Sequence, residues 1–326
     1  MAPTGPDGCR NVGRFWNGQT ETTARLTLRP PAEADADAVA ALLNDPEVAG
    51  AGATLPYPCE RGHALEFVAR AGAEIRAGRG IVLLLHERLG GRLVGCVGAG
   101  IEAATAEVGF WIGRDFWGRG YATEAVRRLL RLLFRARGVG MAWATARPGN
   151  LASRRVLGKC GFMRDGVRAS PAASAGGEAL DVFVLDREVW ESAPRPMLLV
   201  AAVALVDADG RVLLTRRPPG KDMAGMWEFP GGKLKEGETP EAAVIREAAE
   251  ELGIDLSVGC LAPIAFASHD YDSFHLLMPL YVSRQWEGTV AAREGQELAW
   301  VRPLRMADYV MPPADVPLVA LLRDWL

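Results

Sequence analysis

The feature that most constrains this chain is a short segment, from Thr239-Pro240 to Gly253-Ile254, that places Arg246 and the three glutamates Glu247, Glu250 and Glu251 together at the end of one predicted helix. Thr239 is a capping residue, Pro240 suits a first helical turn and Gly253 suits a stop, so the helix is expected over 240–252. Glu247, Glu250 and Glu251 stand at i, i+3 and i+4, which puts their carboxylates on one face. Like charges so placed repel, and a hard divalent cation, Mg²⁺ or Mn²⁺, would relieve the repulsion through carboxylate oxygens while keeping waters for a phosphate to replace.

Gly232, Glu238, Arg246, Glu247, Glu250, Glu251 and Gly253 also occupy the fixed positions of a longer pattern. At ordinary residue usage the chance of that match at a given start is on the order of one in 10⁸. A solvated acidic face is therefore a poor account of it. The pattern resembles the Nudix box; its one departure is Ala248, where a larger aliphatic residue is common. The similarity extends to Arg216-Arg217, Trp227-Glu228-Phe229-Pro230, Glu294-Gly295-Gln296 and Pro312-Pro313-Ala314-Asp315, all as in the MutT branch, and covers 197–326.

The resemblance implies hydrolysis of a nucleoside triphosphate to the monophosphate and pyrophosphate at a metal-bridged site. Carried onto this sequence, Glu250 and Glu251 are metal ligands, joined by Glu247, the Gly231 carbonyl and Glu294. Glu247 orients or deprotonates the water, Arg246 anchors the helix through Glu238, Arg217 meets a phosphate, and Phe229 and Asp315 lie with the substrate. Asp315 stands where family members that select 8-oxoguanine carry Asn, and Phe274 where MutT carries an arginine. An ionised Asp only accepts hydrogen bonds, whereas a protonated Asp or an Asn also donates. Cleansing of 8-oxo-dGTP, a DNA-repair function, is the leading reading; hydrolysis of (d)CTP or of (d)NTPs broadly is the alternative. An ordinary turn or N-cap role for Asp315 also stays open.

A second signature lies upstream. Glu107–Ile112 alternates like a strand and runs through Arg114-Asp115-Phe116-Trp117-Gly118-Arg119-Gly120-Tyr121-Ala122 into a helix. Glycines at alternate positions before a helix N-terminus make a pyrophosphate cradle. With Asn150-Leu151-Ala152-Ser153 opening another helix and Gly161-Phe162 a following strand, the region resembles the GNAT N-acetyltransferases of the RimJ/RimL branch from about Thr22 to Trp190, including Leu26–Pro30 and Asn44–Val48. The resemblance implies acetyl-CoA as cosubstrate, held by the backbone of Trp117, Gly118, Arg119, Gly120, Tyr121 and Ala122, with Asn150 and Ser153 at the pantetheine end. Glu107 is the candidate base for an amine acceptor that the sequence does not identify. A carboxylate that merely ends a strand is the competing reading, and a non-catalytic acyl-CoA sensor is the alternative for the whole unit.

The arginines at 127, 128, 131, 135 and 137 form a basic helix face, but Val126, Leu129, Leu130, Leu133 and Phe134 make the opposite stripe apolar, as expected for packing on a sheet. With a formal net charge of -3 for 326 residues, neither a nucleic-acid nor a membrane partner is expected. Cys9, Cys59, Cys96, Cys160 and Cys260 form no CxxC pair, so no zinc site or disulfide framework is indicated, and a cytoplasmic location is expected. The apolar run Met197–Val206 is far short of the ~20 residues that cross a bilayer, and no signal peptide is evident. The expected organisation is a disordered tail over 1–20, an acetyltransferase domain over 21–191, a linker at 192–196 and a hydrolase domain over 197–326. Its fold class is α/β and α+β: a GNAT mixed sheet flanked by helices, then a Nudix α/β/α sandwich. A small-residue loop is expected over Ser170–Gly177, and no internal repeat is visible.

Overall fold

The structure is a computed structural model that describes residues 16, 18–50, 55–169, 179–219, 221 and 223–326. Most of the expected tail, with Cys9, and the Ser170–Gly177 loop lie outside the described residues. The chain divides into two compact units at Ala193/Pro194, with the short segments Thr23–Arg25 and Arg88–Gly91 grouped with the second.

In the first unit the strands are β1 (Glu21–Thr22), β2 (Leu26–Arg29), β3 (Gly80–Glu87), β4 (Leu93–Glu102), β5 (Thr105–Ile112), β6 (Met141–Ala146), β7 (Met163–Ala169) and β8 (Ala179–Asp186). Among the described residues they form one mixed sheet in the order β1-β2-β3-β4-β5-β6-β8-β7. Alternation along the central strands sends side chains to both faces. Ile81, Leu83, Leu85, Val97 and Val108 meet Ala125, Val126, Leu129 and Leu133 of α4 (Tyr121–Arg131) and the π-helical turn Leu132–Ala136 that extends it. On the other face Leu84 and Cys96 meet α1 (Ala36–Leu43) and α3 (Arg61–Arg76); a short α2 (Pro46–Gly50) lies between them in the chain. The apolar stripe expected on the arginine-rich helix is thus core, and Arg127 and Arg137 donate to the Lys159 and Gly78 carbonyls. Trp16, assigned to a disordered tail from its surroundings in sequence, is instead 5% exposed and packs in this core. Its apolar area outweighs the polar residues beside it.

One feature of the sheet prepares a ligand site. Parallel β5 and β6 pair only from Thr105↔Met141 to Glu107↔Trp143, although β5 continues to Ile112 and β6 to Ala146. Past Glu107 the two strands no longer bond, which opens a wedge in the sheet. α4 begins at one side of it after the glycine loop, and α5 (Leu151–Lys159) follows β6; α6 (Arg187–Ser192) closes the unit.

The second unit contains β9 (Met197–Leu205), β10 (Val212–Arg216), β11 (Trp227–Glu228), β12 (Gly231–Lys233), β13 (Ala262–Asp270), β14 (His275–Ser283) and β15 (Glu297–Val301). They make a four-stranded sheet, β12-β9-β14-β13, and a three-stranded one, β11-β10-β15. β9 is apolar on both faces because both are covered. Ala201, Val203 and Leu205 pack towards α7 (Pro240–Glu247), whereas Ala202 and Ala204 pack towards α8 (Val316–Trp325). Helices therefore flank the sheets on both sides.

No helix among the described residues is long and apolar enough to cross a membrane.

Candidate functional site

The expected helix over 240–252 forms with one correction. Thr239 Oγ1 accepts from the Ala242 N–H and Pro240 occupies the first turn, but regular α geometry ends at Glu247. Ala248–Leu252 is a π-helical turn, closed by Gly253 at φ +67°, whose N–H reaches the Ala248 and Ala249 carbonyls. Such widened turns concentrate at functional sites because they re-aim side chains. Glu247 and Glu250 still share the Arg246 guanidinium, and Glu247 adds to the negative charge around Glu251. Glu250 is exposed, near Arg246 and Lys235, while Glu251 is more buried and turns inward.

Arg246 organises this end of the unit. Its guanidinium grips Glu238 through two bonds of 2.7 and 2.9 Å, and also donates to Glu247 Oε1 at 2.6 Å, Glu250 Oε2 at 3.1 Å and the Lys233 carbonyl. The bidentate bonds hold the Glu238 carboxyl down at about 2 and raise the arginine, so the pair is ionised at any pH the protein meets. Glycine is required opposite. A Cβ at Gly232 would lie 2.1 Å from Glu247 Oε1, and one at Gly231, at φ +154°, would lie 2.2 Å from the Ala201 carbonyl oxygen. Glu247 thus lies directly against the backbone of β12.

Glu294 arrives on the loop before β15. The loop is pinned to the glutamate helix: Gln296 Nε2 donates to the Glu251 carbonyl at 2.7 Å, Arg293 N–H to the same oxygen at 2.9 Å, and Glu294 N–H to Gln296 Oε1. The Glu294 carboxylate itself is paired with Lys221 Nζ at 2.5 Å. The Glu251 carboxyl is pushed up to about 7, first by burial and then by Glu228, Glu247 and Glu294. An oxygen-only set at which negative charge is mutually unfavourable suits a hard divalent cation. Among the described residues, however, no three acidic, histidine or cysteine side chains form a closed metal cage, and Glu247, Glu250 and Glu294 each face a cation of the chain.

At the other end of this site, the Arg217 guanidinium is paired with Glu228, whose own carboxyl is raised by burial. Asp315 is 5% exposed and begins α8, yet its carboxyl makes no capping bond. Asp315 thus holds the turn and N-cap position that the sequence allowed, but its side chain turns inwards, towards the Phe229 N–H, Glu228 and Tyr271. Burial, aided by Glu228, pushes its carboxyl up to about 8, so it is a neutral acid at pH 7. Phe229 is buried beside it, and Tyr271 stacks on Phe274 at 4.7 Å between ring centroids. Glu228, Lys221 and Tyr271 were not singled out by sequence reasoning. Glu228 and Tyr271 flank residues that were, but only the fold brings the 217, 228, 271 and 315 positions together.

In the first unit the glycine loop has the expected backbone. Gly118 and Gly120 lie at φ +75° and +81°, Gly120 is the N-cap of α4 without any side-chain cap bond, and a Cβ on Gly118 would meet nothing within 4 Å. Trp117 departs from its expected part, since its N–H bonds the Arg114 carbonyl and its indole the Ile112 carbonyl. Gly118, Arg119, Gly120, Tyr121 and Ala122 remain of the expected cradle, with the Tyr121 hydroxyl tied to Glu87 at 2.7 Å. Asn150 caps α5, its Oδ1 accepting from the Ser153 N–H at 3.0 Å. Both residues are thus built into the helix start, and the carboxamide oxygen is committed to capping. Glu107 is exposed and third in β5, so it does not end a strand. With Trp143, its pairing partner at the vertex of the wedge, it lines an open cleft of about 400 Å³ that also includes Glu74, Arg79 and Glu102.

Comparison with known proteins accords with both geometries. Residues 25–163 match the model of the acetyltransferase (GNAT) domain and residues 201–321 that of the NUDIX domain. The second region is 36% identical over 124 residues to the CTP pyrophosphohydrolase of Escherichia coli K12, covering 37% of this chain and 89% of that protein. It is 32% identical over 131 residues to the 8-oxo-dGTP diphosphatase of the same organism, covering 39% and 96%. The first region is 27% identical over 171 residues to an uncharacterised N-acetyltransferase, p20, of Bacillus licheniformis, covering 51% and 94%. The chain is a fusion of a GNAT acetyltransferase domain with a C-terminal domain that belongs to the Nudix hydrolases of the MutT type.

Proposed function

We propose that the C-terminal domain hydrolyses 8-oxo-dGTP to the monophosphate and pyrophosphate in a reaction that depends on Mg²⁺ or Mn²⁺. The observation that carries this reading is the buried Asp315 carboxyl, raised by burial and turned towards Glu228, Tyr271 and the Phe229 N–H, with Tyr271 stacked on Phe274. A protonated carboxyl donates as well as accepts, so it supplies the hydrogen-bonding repertoire of the Asn that its position replaces. Glu247, Glu250, Glu251, Glu294 and the Gly231 carbonyl hold the divalent cation, which when bound neutralises phosphate charge and acidifies a water. Glu247, set against Gly232 and steered by Arg246, would orient the attacking water and accept its proton. Arg217 binds a phosphate, and Phe229 and Asp315 hold the base. The likeness to a CTP pyrophosphohydrolase supports a second reading, (d)CTP as substrate, in which Asp315 accepts from the cytosine amino group. Steady-state hydrolysis of 8-oxo-dGTP, dGTP and dCTP, with pyrophosphate as readout, tests this: a kcat/KM for dCTP above that for 8-oxo-dGTP selects the second reading.

The N-terminal domain transfers an acetyl group from acetyl-CoA to an amine. Gly118–Ala122 cradle the pyrophosphate at the start of α4, Asn150 and Ser153 fix the helix start beside the cofactor, and Glu107 in its open cleft takes the amine proton, directly or through water. CoA release across a panel of amines tests this; acetyl-CoA binding without transfer to any amine would leave a sensor. Cytoplasmic action on both substrates fits the reading, since nucleotide pools and acetyl-CoA are found there.

A further inference from the structure

Lys221 is a cation of this site that the proposed hydrolysis does not yet use. Its ammonium lies 2.5 Å from Glu294 Oε2, also feels the attraction of Glu251, and is repelled by Arg217. Two cations are thus close to one another on the segment that leads into β11, and an anion between them would relieve their repulsion. Glu294 has a fixed backbone and a mobile choice of partner. Its N–H bonds Gln296, and the neighbouring Arg293 and Gln296 both bond the Glu251 carbonyl, but its carboxylate is 41% exposed, pairs with Lys221 and lies close enough to Glu251 to repel it.

We propose that Lys221 is a positioning residue that exchanges partners: it holds Glu294 in the free protein and passes to the phosphates of a bound nucleotide when Glu294 turns to the divalent cation. This rests on the reading of Glu294 as a metal ligand. Only side-chain torsions change, because the loop carrying Glu294 is already clamped beside Glu251. The consequence is linkage. In the absence of nucleotide the cation must displace Lys221 from Glu294, whereas a triphosphate gives the ammonium a new partner, so metal and nucleotide favour one another's binding.

The pair is about half exposed, so its competition with the metal is modest, about threefold to fivefold in affinity. Mn²⁺ alone, titrated into the full chain and followed by electron paramagnetic resonance of the free ion, reads this directly. Lys221→Met is expected to bind Mn²⁺ about threefold to fivefold more tightly than wild type, and the same substitution in a Glu294→Gln background to change the affinity by less than about 1.5-fold. In steady-state hydrolysis at saturating Mg²⁺, Lys221→Met should raise the nucleotide KM about tenfold with kcat within about twofold, and Lys221→Arg should restore KM. Equal tightening of Mn²⁺ binding in both backgrounds overturns the exchange, because the lysine then acts only through its general field. No tightening in either background, or an unchanged KM, overturns it too. Unaltered Mn²⁺ affinity in Glu294→Gln alone has a different meaning: it removes Glu294 from the metal site, whatever Lys221 does.

Discussion

Asp315→Asn is expected to stabilise the hydrolase domain, and to do so more strongly as the pH rises. The folded carboxyl has a pKa of about 8 against 3.8 for the free side chain. Between these values the folded state keeps a proton that the unfolded state has released, so stability falls with rising pH, by about 1.4 kcal/mol per unit for this one group. The loss begins near pH 4 and stops growing above about pH 8. It is small at pH 5 and reaches at most about 4 kcal/mol at pH 7. Asn fills almost the same volume, cannot ionise and removes the whole dependence. The advantage of the variant over wild type should therefore grow by about 2 to 3 kcal/mol from pH 5 to pH 7. Glu228 and Glu251 also titrate with burial, but they are present in both proteins and largely cancel in the difference. Urea unfolding of the metal-free full chain, read by hydrogen exchange in peptides of the C-terminal unit, isolates this domain from the other. A difference between the two proteins that stays within about 0.5 kcal/mol over that range would refute a protonated Asp315, and with it the argument that it donates to a base.

Glu250→Gln keeps the shape and deletes one carboxylate charge; hydrolysis should fall at least ~100-fold with the circular dichroism spectrum retained, and near-wild-type turnover at saturating Mg²⁺ would remove Glu250 from the metal set. Gly232→Ala sets a methyl where Glu247 Oε1 now lies, at 2.1 Å, so Glu247 must move and kcat should drop about 100-fold or more; unaltered kcat would show that this approach is dispensable. Gly120→Glu forces a side chain into φ +81° and an anion into the cradle; calorimetry should detect no acetyl-CoA binding while nucleotide hydrolysis persists, and retained micromolar binding would reduce the loop to a structural turn.

What the sequence made legible was whatever short-range chemistry encodes. The Thr239 cap, Pro240, the Gly253 stop and the Arg246–Glu238 pair all act within a few turns of chain, and each stands where the spacing put it. The two glycines at positive φ before α4 were legible for the same reason, since few other residues tolerate that backbone. Periodicity could not reveal the π-helical turn at Ala248–Leu252, because the same residues fit regular α spacing equally well. Nor could it reveal the wedge between β5 and β6, which comes from where two strands distant in sequence stop pairing.

The two sites differed in legibility because they handle charge by opposite means. The proposed acetyl-CoA cradle would use backbone N–H groups, so almost any side chain serves and only its glycines mark it. The hydrolase site uses side chains, and its acids leave a conspicuous pattern. The cations that accompany them lie elsewhere in sequence, at Arg217 and Lys221, together with the nearer Arg246. Without them Glu247, Glu250 and Glu294 would repel unrelieved in the metal-free chain, and the fold would depend on bound metal to close this end of the domain. With them these carboxylates are countered by cations of the chain itself, so the fold does not need a metal to close this end of the domain. Arg246 is committed to Glu238 by two bonds as well as to Glu247 and Glu250, so it stays through the proposed exchange. Lys221 holds its directly bonded carboxylate, Glu294, by a single half-exposed ion pair, against the several bonds of Arg246, and so loses least by leaving.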